Sequence, residues 1–276
     1  MNWLESIIYG LVAGITEILP VSSQAHRILI LNLYGESAEP VLLRLLLHLS
    51  ILAGLYYGCQ NHITRITRAL RLAKIPKRRR KRPLDTRSLM DFEIFKTMLI
   101  PIVLGYLFYN SISGLGASLV WLSVSLLLNG LILYFPKYLP GGNKDTQTLT
   151  RAEGLLMGLG GAASMLPGVS CTGAVTSIAT PCGADKGYAF DLALLAHIPV
   201  TLGLVIFDIL ALISQGMSGM SLTTVLSYIV SALTAFGGVY LGMRIMRSLI
   251  KNNGVDIFAY YSLGTALFTF ILFLNI

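Results

Sequence analysis

Two short runs in this sequence concentrate the residue types that do chemistry. The first is Glu17, Pro20, Ser22, Ser23, Gln24, His26 and Arg27. A carboxylate such as Glu17 can bind a metal or accept a proton. Ser23 can serve as a nucleophile, with His26 as its general base or acid. These two residues are three positions apart, so a helix beginning just after Pro20 carries both on one face. Helix capping explains Ser22 and Ser23 but leaves Glu17, His26 and Arg27 together unexplained. The second run is Pro167, Gly168, Val169, Ser170, Cys171, Thr172 and Gly173, with Thr176 beyond it. Glycine and hydroxyl residues at a helix start suit an anion, because free amides and the positive dipole end point at it. Glycines also let membrane helices pack closely, so this run alone is evenly balanced between the two uses. Facing the first run, it makes a phosphate cradle.

The elements that must position these runs are set by lipid. Of 276 residues, 54% are hydrophobic and 12% charged, and mean hydropathy is +0.71. About a quarter of a soluble domain is charged. This composition points to an all-α polytopic membrane protein, a single membrane domain over 1–276. Six stretches are long and apolar enough to cross a bilayer, about 41–59, 92–109, 117–135, 189–213, 222–243 and 256–275. Two more, 2–33 and 151–183, are apolar but interrupted by the two chemical runs. Proline breaks a helix, and broken backbone at membrane depth survives only inside protein or beside a water-filled cavity. Each therefore reads as a re-entrant helical hairpin. The N-terminal run lacks a basic flank and reads as part of the mature fold rather than a cleaved signal.

The net charge of +8 is uneven, with a basic cluster from Arg65 to Arg87. Between apolar spans, such a segment (60–91) reads as a cytoplasmic loop facing anionic lipid rather than a nucleic-acid site. Alternation then places Lys137, Lys144, Arg151, Arg244, Arg247 and Lys251 inside as well. Both termini lie outside, and the outer connections 110–116 and 214–221 carry no charge.

The chain also answers itself. Leu45-Leu46-Leu47-His48 with Gly54-Leu55 matches Leu194-Leu195-Ala196-His197 with Gly203-Leu204, and Leu19-Pro20-Val21-Ser22 matches Leu166-Pro167-Gly168-Val169-Ser170. Repeat one spans about 1–135 and repeat two about 151–276. An odd number of crossings separates the hairpins, so the repeats are inverted, and such repeats hold a site near the midplane. His48 and His197 read as packed, hydrogen-bonded imidazoles rather than ligands. Asp191 reads as interfacial, Asp208 as deeper with no partner assignable, and Glu153 as a helix-start charge. Cys59, Cys171 and Cys182 form no CxxC pair, which argues against a disulfide framework or a zinc site.

Gly14-Ile15-Thr16-Glu17-Ile18-Leu19-Pro20-Val21-Ser22-Ser23 with His26 resembles the first signature of the undecaprenyl-diphosphate phosphatase family, the bacitracin-resistance membrane phosphatases. Leu166-Pro167-Gly168-Val169-Ser170 followed by Thr172 to Thr176 resembles its second. The resemblance runs over nearly the whole chain and makes this a divergent member. It implies hydrolysis of undecaprenyl diphosphate to undecaprenyl phosphate, recycling the cell-wall lipid carrier from a site open to the outer face of a bacterial plasma membrane. By position it makes Glu17, Ser23 and His26 catalytic, with Glu17 also the residue for a divalent metal, Mg or Ca. It makes Ser170, Thr172 and Thr176 phosphate contacts, to which the residues' own chemistry adds Ser22, Arg27 and Gly168. The expected partners are the polyprenyl diphosphate and membrane lipids, with a homodimer as a further expectation and no nucleic acid. Four positions depart from the family pattern, two of them Gln24 and Ala25, which replace the usual small residues before the histidine. Ala13 stands where Gln or Glu is usual, and Cys171 where the second motif carries an arginine that would stabilise phosphoryl charge. Arg27 is the nearby candidate to replace it. The departures and the inverted repeat keep open a second class, a non-hydrolytic polyprenyl-phosphate transporter or lipid-binding protein.

Overall fold

The computed structural model describes residues 1–36, 38–80, 83–138, 148–216, 220–252 and 255–275, which carry helices and no β-strand. In chain order the helices are α1 (Trp3–Ile18), α2 (Ser23–Leu33), α3 (Val41–Ala73), α4 (Thr86–Gly105), a five-residue α5 (Tyr109–Ser113) and α6 (Leu119–Tyr134). Then follow α7 (Arg151–Ala163), α8 (Cys171–Ala179), α9 (Lys186–Gln215), α10 (Leu222–Lys251) and α11 (Ile257–Leu274). Among the described residues, six segments built on α3, α4 with α5, α6, α9, α10 and α11 are long and apolar enough to cross a membrane. Their outward faces carry large apolar side chains such as Leu128, Leu233 and Leu267, as lipid contact requires.

The two interrupted stretches each fold as a pair of short helices. Asn2 and Glu5 close a capping box at the start of α1, with bonds of 2.9 and 2.7 Å, and Thr150 and Glu153 close another on α7. Between α1 and α2 the chain turns at Leu19–Ser22, with Ser22 in the left-handed region at φ 65°. Between α7 and α8 it turns at Gly168, φ 107°, where an added Cβ would lie 2.5 Å from the Cβ of Ser125. Only glycine meets both demands there.

Small residues let the pairs sink against the spans. On α1, Gly10 and Gly14 face Ser231 and Ala235 of α10 so closely that an added Cβ would come within 2.0 and 2.1 Å of their carbonyl oxygens. On α7, Gly154 and Gly158 face Thr97 and Met98 of α4 in the same spacing. The packing is compatible with an internal repeat. The first helix pair leans on α10 and the second on α4, while α3 meets α9 and α6 meets α11.

The basic segment departs from the expected loop over 60–91. α3 continues unbroken to Ala73 and α4 starts at Thr86, so Arg65, Arg68 and Arg71 ride on helix. Charge alone does not end a helix, and the first breaker after His48 is Pro76. Lys81, Arg82 and Lys144 lie outside the described residues. With 33 residues, α3 is about 50 Å long, more than the roughly 30 Å of a hydrocarbon core.

Candidate active site

The two turns meet at the centre of the bundle. Asn129 of α6, fully buried, ties them: its amide nitrogen donates to the Pro20 carbonyl at 3.1 Å and to Ser262 at 3.0 Å. Its oxygen accepts the Ser170 amide at 2.9 Å. The Ser170 hydroxyl donates to the Leu19 carbonyl at 3.4 Å and accepts from the Gly173 amide at 3.2 Å, capping α8. The Thr172 hydroxyl reaches the Glu17 carbonyl at 3.5 Å.

Around this junction lies an inner cavity of about 40 Å³, room for a few water molecules. Glu17, Ser22, Ser23 and Arg27 line it from the first turn, Ser170 and Cys171 from the second, His48 from α3 and His197 from α9. Gln24, Arg27, His48 and Leu204 also line a vestibule of about 400 Å³ that reaches Arg44, Tyr109 and Asp208.

The ionisable groups are held by one another. Arg27 makes a two-point contact with Glu39 at 2.9 and 3.0 Å, and its other terminal nitrogen lies 3.3 Å from His48 Nε2. The Glu39 carboxylate also accepts from the Tyr9 hydroxyl at 2.6 Å. His48 Nδ1 lies 2.6 Å from Asp208, whose other oxygen takes Arg44 Nε at 2.6 Å. His197 Nε2 lies 2.9 Å from Glu17 Oε1. A charge in a membrane interior must be paired, and these pairs hold charge beside the cavity. Arg27 Nε and His197 Nδ1 are buried with no protein partner.

The structure thus brings Glu17, Ser22, Ser23, Arg27 and Ser170 together. Thr172 sits directly behind them, against the Glu17 backbone. Three expected residues stand apart. His26, although one turn from Ser23 on α2, lines a different pocket. Its Nδ1 bonds the Ser22 carbonyl at 2.8 Å, its Nε2 the Tyr261 hydroxyl at 2.8 Å, and its ring stacks on Tyr261 in a shallow outer pocket. Helix α2 starts at Ser23, so Ser23 is its first residue and packs inward with its hydroxyl on the Ala13 carbonyl at 3.0 Å. Thr176 lines a separate pocket beside Lys137 and Lys186, its hydroxyl donating to the Thr172 carbonyl at 2.7 Å. Gly168 shapes the turn without lining the cavity. His48, His197 and Asp208, by contrast, belong to the site. The sequence signal for the two histidines was their matched place in the repeat. Nothing in spacing joins Asp208 to His48, 160 positions away.

The donor set does not fit a protein-held divalent metal. Glu17 is the sole carboxylate among the described residues lining the inner cavity, and His197 already occupies one of its oxygens. Ala13, where the resemblance leads one to expect Gln or Glu, brings no oxygen ligand, and no cluster of three or more potential ligands occurs among the described residues. Mg and Ca take several oxygen ligands, carboxylates foremost, whereas Arg27, His48 and His197 present nitrogen.

Among the described residues, six segments long and apolar enough to span surround a polar cavity, walled by two broken helix pairs and lined with hydroxyls, a guanidinium and a carboxylate, and this defines a polytopic membrane protein with a polar site inside its bundle. The chain belongs to the family described as bacitracin resistance protein BacA, whose model matches residues 6–268. It is 29% identical to the undecaprenyl-diphosphatase of Methanobrevibacter smithii, over 95% of this chain and 94% of that one. It is 30% identical to undecaprenyl-diphosphatase 1 of Shouchella clausii, over 98% and 96%. It is 27% identical to the undecaprenyl-diphosphatase of Carboxydothermus hydrogenoformans, over 95% and 94%.

Proposed function

We propose that this protein hydrolyses undecaprenyl diphosphate to undecaprenyl phosphate and inorganic phosphate inside the membrane, recycling the cell-wall lipid carrier. The observation that carries the reading is the inner cavity, where hydroxyls of both turns meet Arg27 and the Glu17–His197 pair. The vestibule takes the diphosphate, and the terminal phosphoryl group enters the inner cavity. Arg27 supplies the positive charge that Cys171 cannot, acting on oxygens that gain charge in the transition state. Ser23 is the nucleophile, and Ser22 and Ser170 orient the phosphate. His26 serves the site through the turn, holding the Ser22 carbonyl.

The reading includes an orientation. Arg44 and His48 stand at one end of α3, Arg65 to Arg71 at the other, roughly 36 Å apart between Arg44 and Arg68 at 1.5 Å per residue. With the basic end cytoplasmic, the vestibule opens outward. The three relatives above are diphosphatases by name, and the non-hydrolytic carrier has no finding behind it.

The test is a product assay on purified protein in detergent with undecaprenyl diphosphate. One equivalent each of inorganic phosphate and lipid monophosphate supports the reading. Intact diphosphate after prolonged incubation, from protein that binds it, refutes it.

A further inference from the structure

The four histidines of the chain differ in one respect. His26 has both ring nitrogens engaged, by the Ser22 carbonyl and the Tyr261 hydroxyl. His48 has both engaged, by Asp208 and Arg27. His62 lies at the basic end of α3, between Asp191 and Arg65. His197 alone, 2% exposed, has one nitrogen committed, with Nε2 on Glu17, and the other, Nδ1, without a protein partner. It lines the inner cavity with Ser23 and Ser170.

The partner decides what the open nitrogen can do. A carboxylate accepts, so Nε2 carries the hydrogen, and in the neutral ring Nδ1 keeps a lone pair. An imidazole fixed by a carboxylate, with its second nitrogen open to a serine, is the arrangement that activates serine nucleophiles on unrelated folds; here the open nitrogen shares the inner cavity with Ser23, whose hydroxyl rests on the Ala13 carbonyl until the phosphoryl group enters. A buried nitrogen left unbonded is costly, and it is accounted for when a proton passes through it during turnover.

We propose that His197 is the proton-transfer residue of this site and Glu17 its orienting carboxylate, an assignment that rests on the hydrolase reading. As Ser23 Oγ bonds to the terminal phosphorus, the bond from phosphorus to the bridging oxygen breaks. Its electron pair leaves with the lipid phosphate. The hydroxyl proton passes to His197 Nδ1, and the imidazolium hands it to the departing oxygen. Water then attacks the phosphoserine and gives its proton to the neutral ring, which returns it to Ser23 Oγ as inorganic phosphate leaves. The sum is one water consumed per diphosphate cleaved, with enzyme restored.

The experiment follows phosphate release from undecaprenyl diphosphate against pH, for wild type, His197→Gln and His197→Gly, with lipid monophosphate binding and thermal melting measured on each. His197→Gln is expected to lose about 10²–10⁴-fold in kcat, with KM and monophosphate binding within about threefold. The acid limb of its kcat–pH profile should disappear, and added imidazole should restore turnover to His197→Gly. Turnover of His197→Gln within about threefold of wild type overturns the proposal while leaving the hydrolase standing. So does a fall in kcat with an unchanged pH profile and no rescue, which marks a structural histidine. A wild type that releases no phosphate removes the hydrolase reading and the proposal with it.

Discussion

Arg27 and His26 are neighbours that face different ways. One step on α2 turns the side chain by about 100°, so His26 meets Tyr261 while Arg27 meets Glu39 and His48. Their substitutions should therefore separate. Arg27→Lys keeps the charge but cannot span Glu39 and His48 with one flat fork, and kcat is expected to fall about 10²-fold, with Arg27→Ala lower still. His26→Ala removes the prop on the Ser22 carbonyl along with the outer contact to Tyr261, and since only the first reaches the site it is expected to cost about tenfold, as the loss of about 1.4 kcal/mol from one hydrogen bond implies. Phosphate release by the three proteins at saturating lipid gives the order. A second expectation concerns metal. With one carboxylate in the cavity, calorimetric titration of lipid-free protein with Mg or Ca should show no saturable site tighter than roughly millimolar. A micromolar site would contradict the account. The residues themselves were legible to unequal degrees. Glu17, Ser23 and Ser170 stood out because polar groups inside an apolar run are expensive. His197 showed only as the match to His48, and Asp208 showed no purpose, because a single polar residue on a long apolar helix reveals its role only through a partner brought from elsewhere.

At the level of elements, the site is a meeting of two turns, and Asn129 is the joint. Asn129→Leu keeps the approximate volume but leaves the Pro20 carbonyl and the Ser170 amide without that partner, at about 1–3 kcal/mol for each buried group. The expected result is a folded protein with a lower melting temperature and at least tenfold slower phosphate release, read by thermal melts and the same assay. Gly14→Val acts earlier in the chain of causes. Its branched side chain would meet the Ala235 carbonyl, where even a Cβ comes within 2.1 Å, so α1 must part from α10. Loss of monodisperse protein on gel filtration is the outcome expected. The broken stretches were readable from Pro20 and Pro167, whose amide-less rings and neighbouring polar residues conflict with an unbroken span. The end of α3 was not readable from its charges. Arg65, Arg68 and Arg71 recur at helical spacing and favour helix as readily as loop, and Pro76 marks the stop. Asn129, one amide in the apolar α6, gave no sign of which distant backbone groups it would join.

For the whole molecule, the six crossings followed from hydropathy, and the basic end from charge. The orientation proposed from these is open to direct labelling. Cysteines placed at Lys77 and at Ser221, in a chain lacking its native three, should differ in intact cells. Ser221→Cys should react with a membrane-impermeant maleimide, and Lys77→Cys only after permeabilisation. The opposite pattern would turn the vestibule towards the cytoplasm. What ties the scales together is the claim that the cavity between the two turns is where phosphate is removed. The most direct measurement compares phosphate release from undecaprenyl diphosphate by wild type, Glu17→Gln, Ser23→Ala and Thr176→Ala, each verified as folded and lipid-binding. The account predicts turnover by wild type and, because Thr176 lies in another pocket, within about threefold by Thr176→Ala, against losses of at least about 10²-fold in the two cavity variants. Wild-type rates from Glu17→Gln and Ser23→Ala, or loss in Thr176→Ala alone, would place the chemistry elsewhere in the molecule.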